Sequence, residues 1–80
     1  MMLETTTQCF EAAVQLLKEA ESVTNEREHA AWWDKKVDVF LVIQNALESG
    51  AFKGEAYDEL WDAKYVLNEA ENVAGRYAND

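Results

Sequence analysis

The strongest constraint on how this chain folds lies in its last third. Ala56, Leu60, Ala63, Leu67, Ala70, Ala74 and Tyr77 recur at alternating spacings of four and three. That period holds them on one side of a helix, which must bury the stripe against another element. Tyr57, Trp61 and Tyr65 recur at spacings of four on a different side of the same segment. One stripe suffices for a core. The second is the best candidate in the sequence for a surface that touches a partner.

The breaks in the chain set how many helices there are. Proline is absent, and the three glycines are Gly50, Gly54 and Gly75. Gly50 and Gly54 bracket Ala51-Phe52-Lys53, the principal loop. Ser22-Val23-Thr24-Asn25 is a second break, rich in residues that cap helices. Helices are therefore expected near 5–22, 25–49 and 55–77. Short connections make neighbours antiparallel, so the predicted fold is an all-α antiparallel three-helix bundle, one domain over 1–80.

Each segment carries its own start signal. Thr5 and Gln8 fit a capping box, with Phe10, Ala13, Val14, Leu17 and Ala20 as the apolar stripe that follows. Asn25 can cap the second helix, with Glu28 at its third position and Glu26 and Glu28 complementing the helix dipole. Glu55, Asp58 and Glu59 do the same for the third. The second segment is apolar around most of its circumference (Trp32, Trp33, Val37, Val39, Phe40, Leu41, Val42, Ile43, Ala46, Leu47), so it is expected to lie centrally or at a subunit interface. Its β-branched run from Val37 to Ile43 would also suit a buried strand. A capped start at Asn25 and a glycine stop at Gly50 favour helix. The adjacent Trp32 and Trp33 must point about 100° apart, one toward the core and one toward the surface.

Charge narrows the partner classes. Sixteen acids against seven bases give a net charge of −9. Such a field repels nucleic-acid phosphates and anionic membranes, and favours basic protein surfaces, including that of a nucleic-acid-binding protein whose groove the acids would occupy. No apolar run approaches the ~18 residues of a membrane span. Met1-Met2-Leu3-Glu4 lacks the basic and apolar regions of a signal peptide, and a single cysteine cannot form an internal disulfide, so a cytoplasmic setting is expected.

Catalytic signatures are thin. Glu26-x-x-His29 has the spacing of a metal-binding pair but lacks the further ligands that a di-iron bundle uses. Cys9 sits in a negative chain with no basic neighbour, the setting of a packing cysteine. Glu55-x-x-Asp58 and Glu59-x-x-Asp62 each place two carboxylates on one helix face, as Mg²⁺ sites do. Glu59 and Asp62 resemble the second half of the motif of all-α nucleotide pyrophosphatases of the dimeric dUTPase type. The upstream Glu-x-x-Glu half is missing. That resemblance implies a metal-dependent hydrolase acting as an oligomer, using Glu55, Glu59 and Asp62. No cofactor and no metal are expected on the residues themselves.

The reading that absorbs most of the sequence is a small acidic, non-enzymatic binding protein. Tyr57, Trp61 and Tyr65 would anchor a basic partner, and Asp58, Asp62 and Glu69 would steer it. In type, without a shared motif, the chain resembles the inhibitors and adaptors of phages and mobile elements, among them anti-defence proteins, some of which mimic nucleic acid. A structural homo-oligomer, in the simplest case a homodimer, is the third class.

Overall fold

The computed structural model describes residues 5–79. It has three α-helices, α1 (Thr6–Ala20), α2 (Glu26–Ser49) and α3 (Glu55–Ala74), and a closing 3-10 turn over Gly75–Asn79. The chain is thus a small all-α three-helix bundle, with no strand among the described residues. Met1–Glu4, read above as lacking a signal peptide's pattern, lie outside them. The β-branched run Val37–Ile43 is helical within α2.

Local chemistry fixes each boundary. Thr5 Oγ1 accepts from the Gln8 backbone N–H, and Gln8 Oε1 accepts from that of Thr5, which completes the capping box. Asn25 Oδ1 accepts from the Glu28 N–H at 2.8 Å. Glu28 reaches one residue further back, taking both the backbone N–H and the hydroxyl of Thr24 at 2.9 and 2.7 Å. Those two bonds hold the Glu28 carboxyl below its ordinary pKa. Gly50 ends α2 at φ 70° and Gly54 enters α3 at φ 64°, left-handed backbone that a side chain would strain. α1 stops at Ala20, two residues short of the expected end. The α-helical part of the last segment stops at Ala74 and tightens into the 3-10 turn carrying Tyr77.

α1 and α2 run antiparallel, as do α2 and α3, so α1 and α3 run parallel. The hydroxyls of Thr6 and Thr7, at the start of α1, both donate to Glu59 Oε1 near the start of α3 (2.7 and 3.1 Å). The core consists of Cys9, Ala13, Leu16 and Ala20 from α1, Trp32, Val39 and Ile43 from α2, and Leu60, Ala63, Leu67, Ala70 and Ala74 from α3. The α3 seam is as the spacing predicts, although Ala56 and Tyr77 at its two ends are only half-buried.

Two expectations change. The buried line of α1 is Cys9-Ala13-Leu16-Ala20, while Phe10 and Leu17 pack at its edge and Val14 is half-buried. Nor is α2 central: α1 and α3 make the most extensive helix–helix contact. The cause is side-chain size. Ala13 and Ala20 of α1 and Ala63, Ala70 and Ala74 of α3 are essentially inaccessible. Helix separation depends on the side chains at the contact, and alanines permit the closest approach. α2 enters the core with Trp32, Val39 and Ile43, which hold it further out. Its principal tether is Trp32, whose indole Nε1–H donates to the Leu16 carbonyl of α1 at 2.8 Å.

Two measurements test this account. Ala63→Leu overfills the α1–α3 contact and is expected to cost ~1–3 kcal/mol in urea unfolding, while Leu41→Ala on the exposed side of α2 stays within about 0.5 kcal/mol. Glu28 has a lowered pKa, so its stabilisation is present above the unfolded-state value and is lost as pH falls through the folded one. Thermal melts from pH 7 to pH 3 should therefore show a smaller acid-induced loss in Thr24→Ala, which lacks one of the two donors, than in wild type.

Candidate functional site

The Tyr57-Trp61-Tyr65 stripe is one end of a longer array. The rings of Tyr57 and Trp61 lie 6.4 Å apart and nearly perpendicular, at 73°. Those of Trp61 and Tyr65 are 6.2 Å apart and tilted by 38°. Both separations fall in the range where aromatic quadrupoles attract. The Lys64 ammonium stands 4.8 Å from the Trp61 ring and 5.9 Å from the Phe40 ring of α2. It also donates to Gln44 Oε1 at 3.2 Å. On the far side of Phe40, the Lys36 ammonium lies 5.1 Å from that ring and 4.2 Å from Trp33. Ring and cation thus alternate across the α2–α3 junction: Trp33, Lys36, Phe40, Lys64, Trp61. Tyr57 and Tyr65 extend the array from Trp61.

Lys36 is the unusual member. It is 7% exposed, the one buried charged residue among those described. It pairs with Glu71, whose side chain is about one-third exposed. Removing an ammonium from water is costly unless a counter-charge and polarisable neighbours replace the lost hydration. Here a carboxylate and two ring faces do so. Sequence reading missed Lys36 because a lysine inside an apolar stripe reads as solvated. Its spacing held the signal: Trp32, Lys36, Val39 and Ile43 follow one 4-3-4 line, with Trp33 three residues before Lys36 and Phe40 four after.

The predicted site residues separate into two groups. Tyr57 and Tyr65 are open, at 40% and 64% exposure, whereas Trp61 is half-buried. Trp61 is the member of the stripe that reaches toward α2, because Lys64 joins it to Phe40 and Gln44. Asp58, Asp62 and Glu69 are exposed. Asp58 and Asp62 also line a shallow depression with Glu55, Glu59 and Phe10, toward α1. The acids therefore border the tyrosines on the outer side only, while the inner border is cationic. Trp33 and Leu41, at 40% and 51% exposure, add apolar area on α2.

The remaining candidates are dispersed. His29 is half-buried among rings, 5.4 Å from Tyr77, 5.8 Å from Trp33 and 6.1 Å from Trp32. Trp32 is buried and Trp33 exposed, as their adjacency requires, yet their rings remain 6.3 Å apart. Cys9 is buried, and burial followed by the Glu59 carboxylate pushes its thiol pKa up, away from nucleophilic thiolate. Glu59 accepts from Thr6 and Thr7. Among the described residues, no group of three or more His, Cys, Asp or Glu side chains is arranged to hold a metal ion. No described helix is long and apolar enough to cross a membrane.

Comparisons with protein-family models, curated proteins and solved structures find nothing that matches this chain.

The Lys36–Glu71 pair gives a direct test of the array. Glu71→Ala strands a buried ammonium, and with Glu71 one-third exposed its cost is expected to fall at or below the lower end of the ~3–5 kcal/mol that breaking a fully buried pair costs. Lys36→Met replaces the cation by an apolar chain of similar length, leaves Glu71 partly hydrated, and should cost less, under about 1 kcal/mol. Urea unfolding of the two variants checks the order.

Proposed function

We propose that this chain is a non-enzymatic binding protein that covers a basic protein surface, in the manner of a small inhibitor. Tyr57, Trp61 and Tyr65 are its anchors, and Asp58, Asp62 and Glu69 steer the approach. Support comes first from the exposure of Tyr57 and Tyr65 on a rigid helix. Tyrosine supplies large contact area with few rotatable bonds, and its hydroxyl tolerates water before binding. The half-buried Trp61 has both tyrosine rings within 6.4 Å, contacts that favour a strip needing little ordering on binding.

Charge favours the partner class. With sixteen acids and seven bases, the chain attracts basic surfaces over many ångströms and repels phosphate backbones and anionic lipid. An occupant of a nucleic-acid-binding groove, carrying carboxylates where phosphates would sit, is the most specific form of this reading. The cytoplasm, where such partners are abundant, is the proposed setting.

The test is affinity capture from the native cell extract with wild type and with Tyr57→Asp/Tyr65→Asp. Both positions are exposed, so the double variant is expected to melt within a few degrees of wild type. A partner retained by wild type and lost at least tenfold by the variant supports the strip. Equal recovery by the two proteins would place the contact elsewhere.

A further inference from the structure

The array holds its own cations against rings, and two of its rings have none. Lys36 stands over Trp33 and near Phe40, with Glu71 as counter-charge. Lys64 stands over Trp61. Among the described residues no lysine or arginine stands over Tyr57 or Tyr65. Tyr65 is the most open ring of the array, at 64% exposure, and Tyr57 is as open as Trp33 at 40%. Exposed carboxylates neighbour them along the helix, Asp58 next to Tyr57, Asp62 three residues before Tyr65 and Glu69 one turn beyond it. Ring face and acid are thus both present, and the cation is missing.

Building on the binding reading above, we infer that Tyr57 and Tyr65 receive arginine side chains from the partner, with Asp58, Asp62 and Glu69 as their counter-charges. The preference for arginine follows from exposure. The lysines of the array are sheltered, Lys36 most of all, so their ammonium groups have already given up water. At an open tyrosine an ammonium keeps its hydration and gains little from the ring. A guanidinium is more weakly hydrated, lies flat on the ring, and still offers a fork of N–H donors to a carboxylate. Tyr57 and Tyr65 are two helical turns apart along α3, about 12 Å at ~1.5 Å per residue. Two arginines separated by four positions in an extended segment span about the same distance at ~3.3 Å per residue. The fitting occupant is therefore an extended, arginine-bearing segment laid along α3. A second copy of this chain is disfavoured by its own charge of −9.

Binding of octa-arginine and octa-lysine peptides, followed by calorimetry at 0.15 M salt, decides the matter. The proteins are wild type, Tyr57→Leu/Tyr65→Leu, and Asp58→Asn/Asp62→Asn/Glu69→Gln. Leucine keeps apolar bulk and removes the quadrupole. Wild type is expected to bind octa-arginine more tightly than octa-lysine, and the tyrosine variant to lose about tenfold for octa-arginine, the sum of two exposed ring–cation contacts. The same variant should lose little for octa-lysine, and the acid variant should weaken both peptides. Equal affinity for the two peptides, or octa-arginine binding unchanged in the tyrosine variant, overturns the assignment in favour of diffuse charge attraction. Absence of binding by wild type also overturns it. So does a dimer in sedimentation that the tyrosine substitutions dissolve. Each of these results is independent of the capture experiment, in which the strip succeeds or fails whatever the partner's cation is.

Discussion

The alanine contact between α1 and α3 sets the rest of the molecule. Ala13 and Ala20 of α1 and Ala63, Ala70 and Ala74 of α3 are buried in the most extensive helix contact of the molecule, and small residues permit close approach there. Two helices so close cannot admit a third between them. α2 therefore packs on their outside, entering with a single line of side chains. Its wide apolar circumference cannot all be buried in that position. Leu41 and Trp33 are left to solvent, and Val37, Phe40 and Val42 are left half-covered. The exposed apolar area of this protein is a geometric consequence of small residues elsewhere.

Lysines fill the junction that this arrangement opens. At the α2–α3 junction Lys36 lies near both Trp33 and Phe40, and Lys64 near both Phe40 and Trp61. An aliphatic side chain could fill the same volume. A lysine does so while its charge is met by ring faces, Glu71 and Gln44, and it fixes the register of two antiparallel helices through partners on the facing helix. Trp32 does the equivalent on the α1 side by bonding the Leu16 carbonyl. Directional contacts of this kind select one docking of α2 from the many that an apolar helix face would tolerate.

What was legible in the sequence follows the range of the interactions. The caps at Thr5 and Asn25 and the stop at Gly50 depend on residues within four positions, and each is as read. The helical state of Val37–Ile43 follows from those boundaries, since the mild helix cost of β-branched residues is outweighed once both ends are set. The α3 seam was legible because its four-three spacing is unbroken from Ala56 to Tyr77. The α1 line was not, because Cys9, Phe10, Ala12, Ala13, Val14, Leu16 and Leu17 cover a broad arc whose centre is chosen by where α3 approaches. The line that buries Lys36 was readable from its spacing, but its counter-charge was not. That burial depends on Glu71, which belongs to another helix. Of the candidate surface, the tyrosine stripe was visible as a period of four; its attachment to Phe40 through Lys64 was not.

The distribution of bases gives the acidic charge its effect. Lys36 and Lys64 are drawn into the α2–α3 array, and Lys35 pairs with Glu19 across the α1–α2 junction at 3.5 Å. Three of the seven bases thus face inward or sideways, while Asp58, Asp62 and Glu69 lie open beside Tyr57 and Tyr65. The exposed charged residues of α3 are all acidic: Glu55, Asp58, Asp62 and Glu69. Long-range attraction of this kind chooses a sign and speeds encounter, but it falls away within a Debye length and does not distinguish one basic surface from another. Discrimination has to come from groups that act at contact and favour a particular shape of cation. Along this helix the exposed groups with that property are the two tyrosine rings. Their separation is set by two turns of one helix, with the half-buried Trp61 packed between them, so under the proposed reading it would not have to be created on binding.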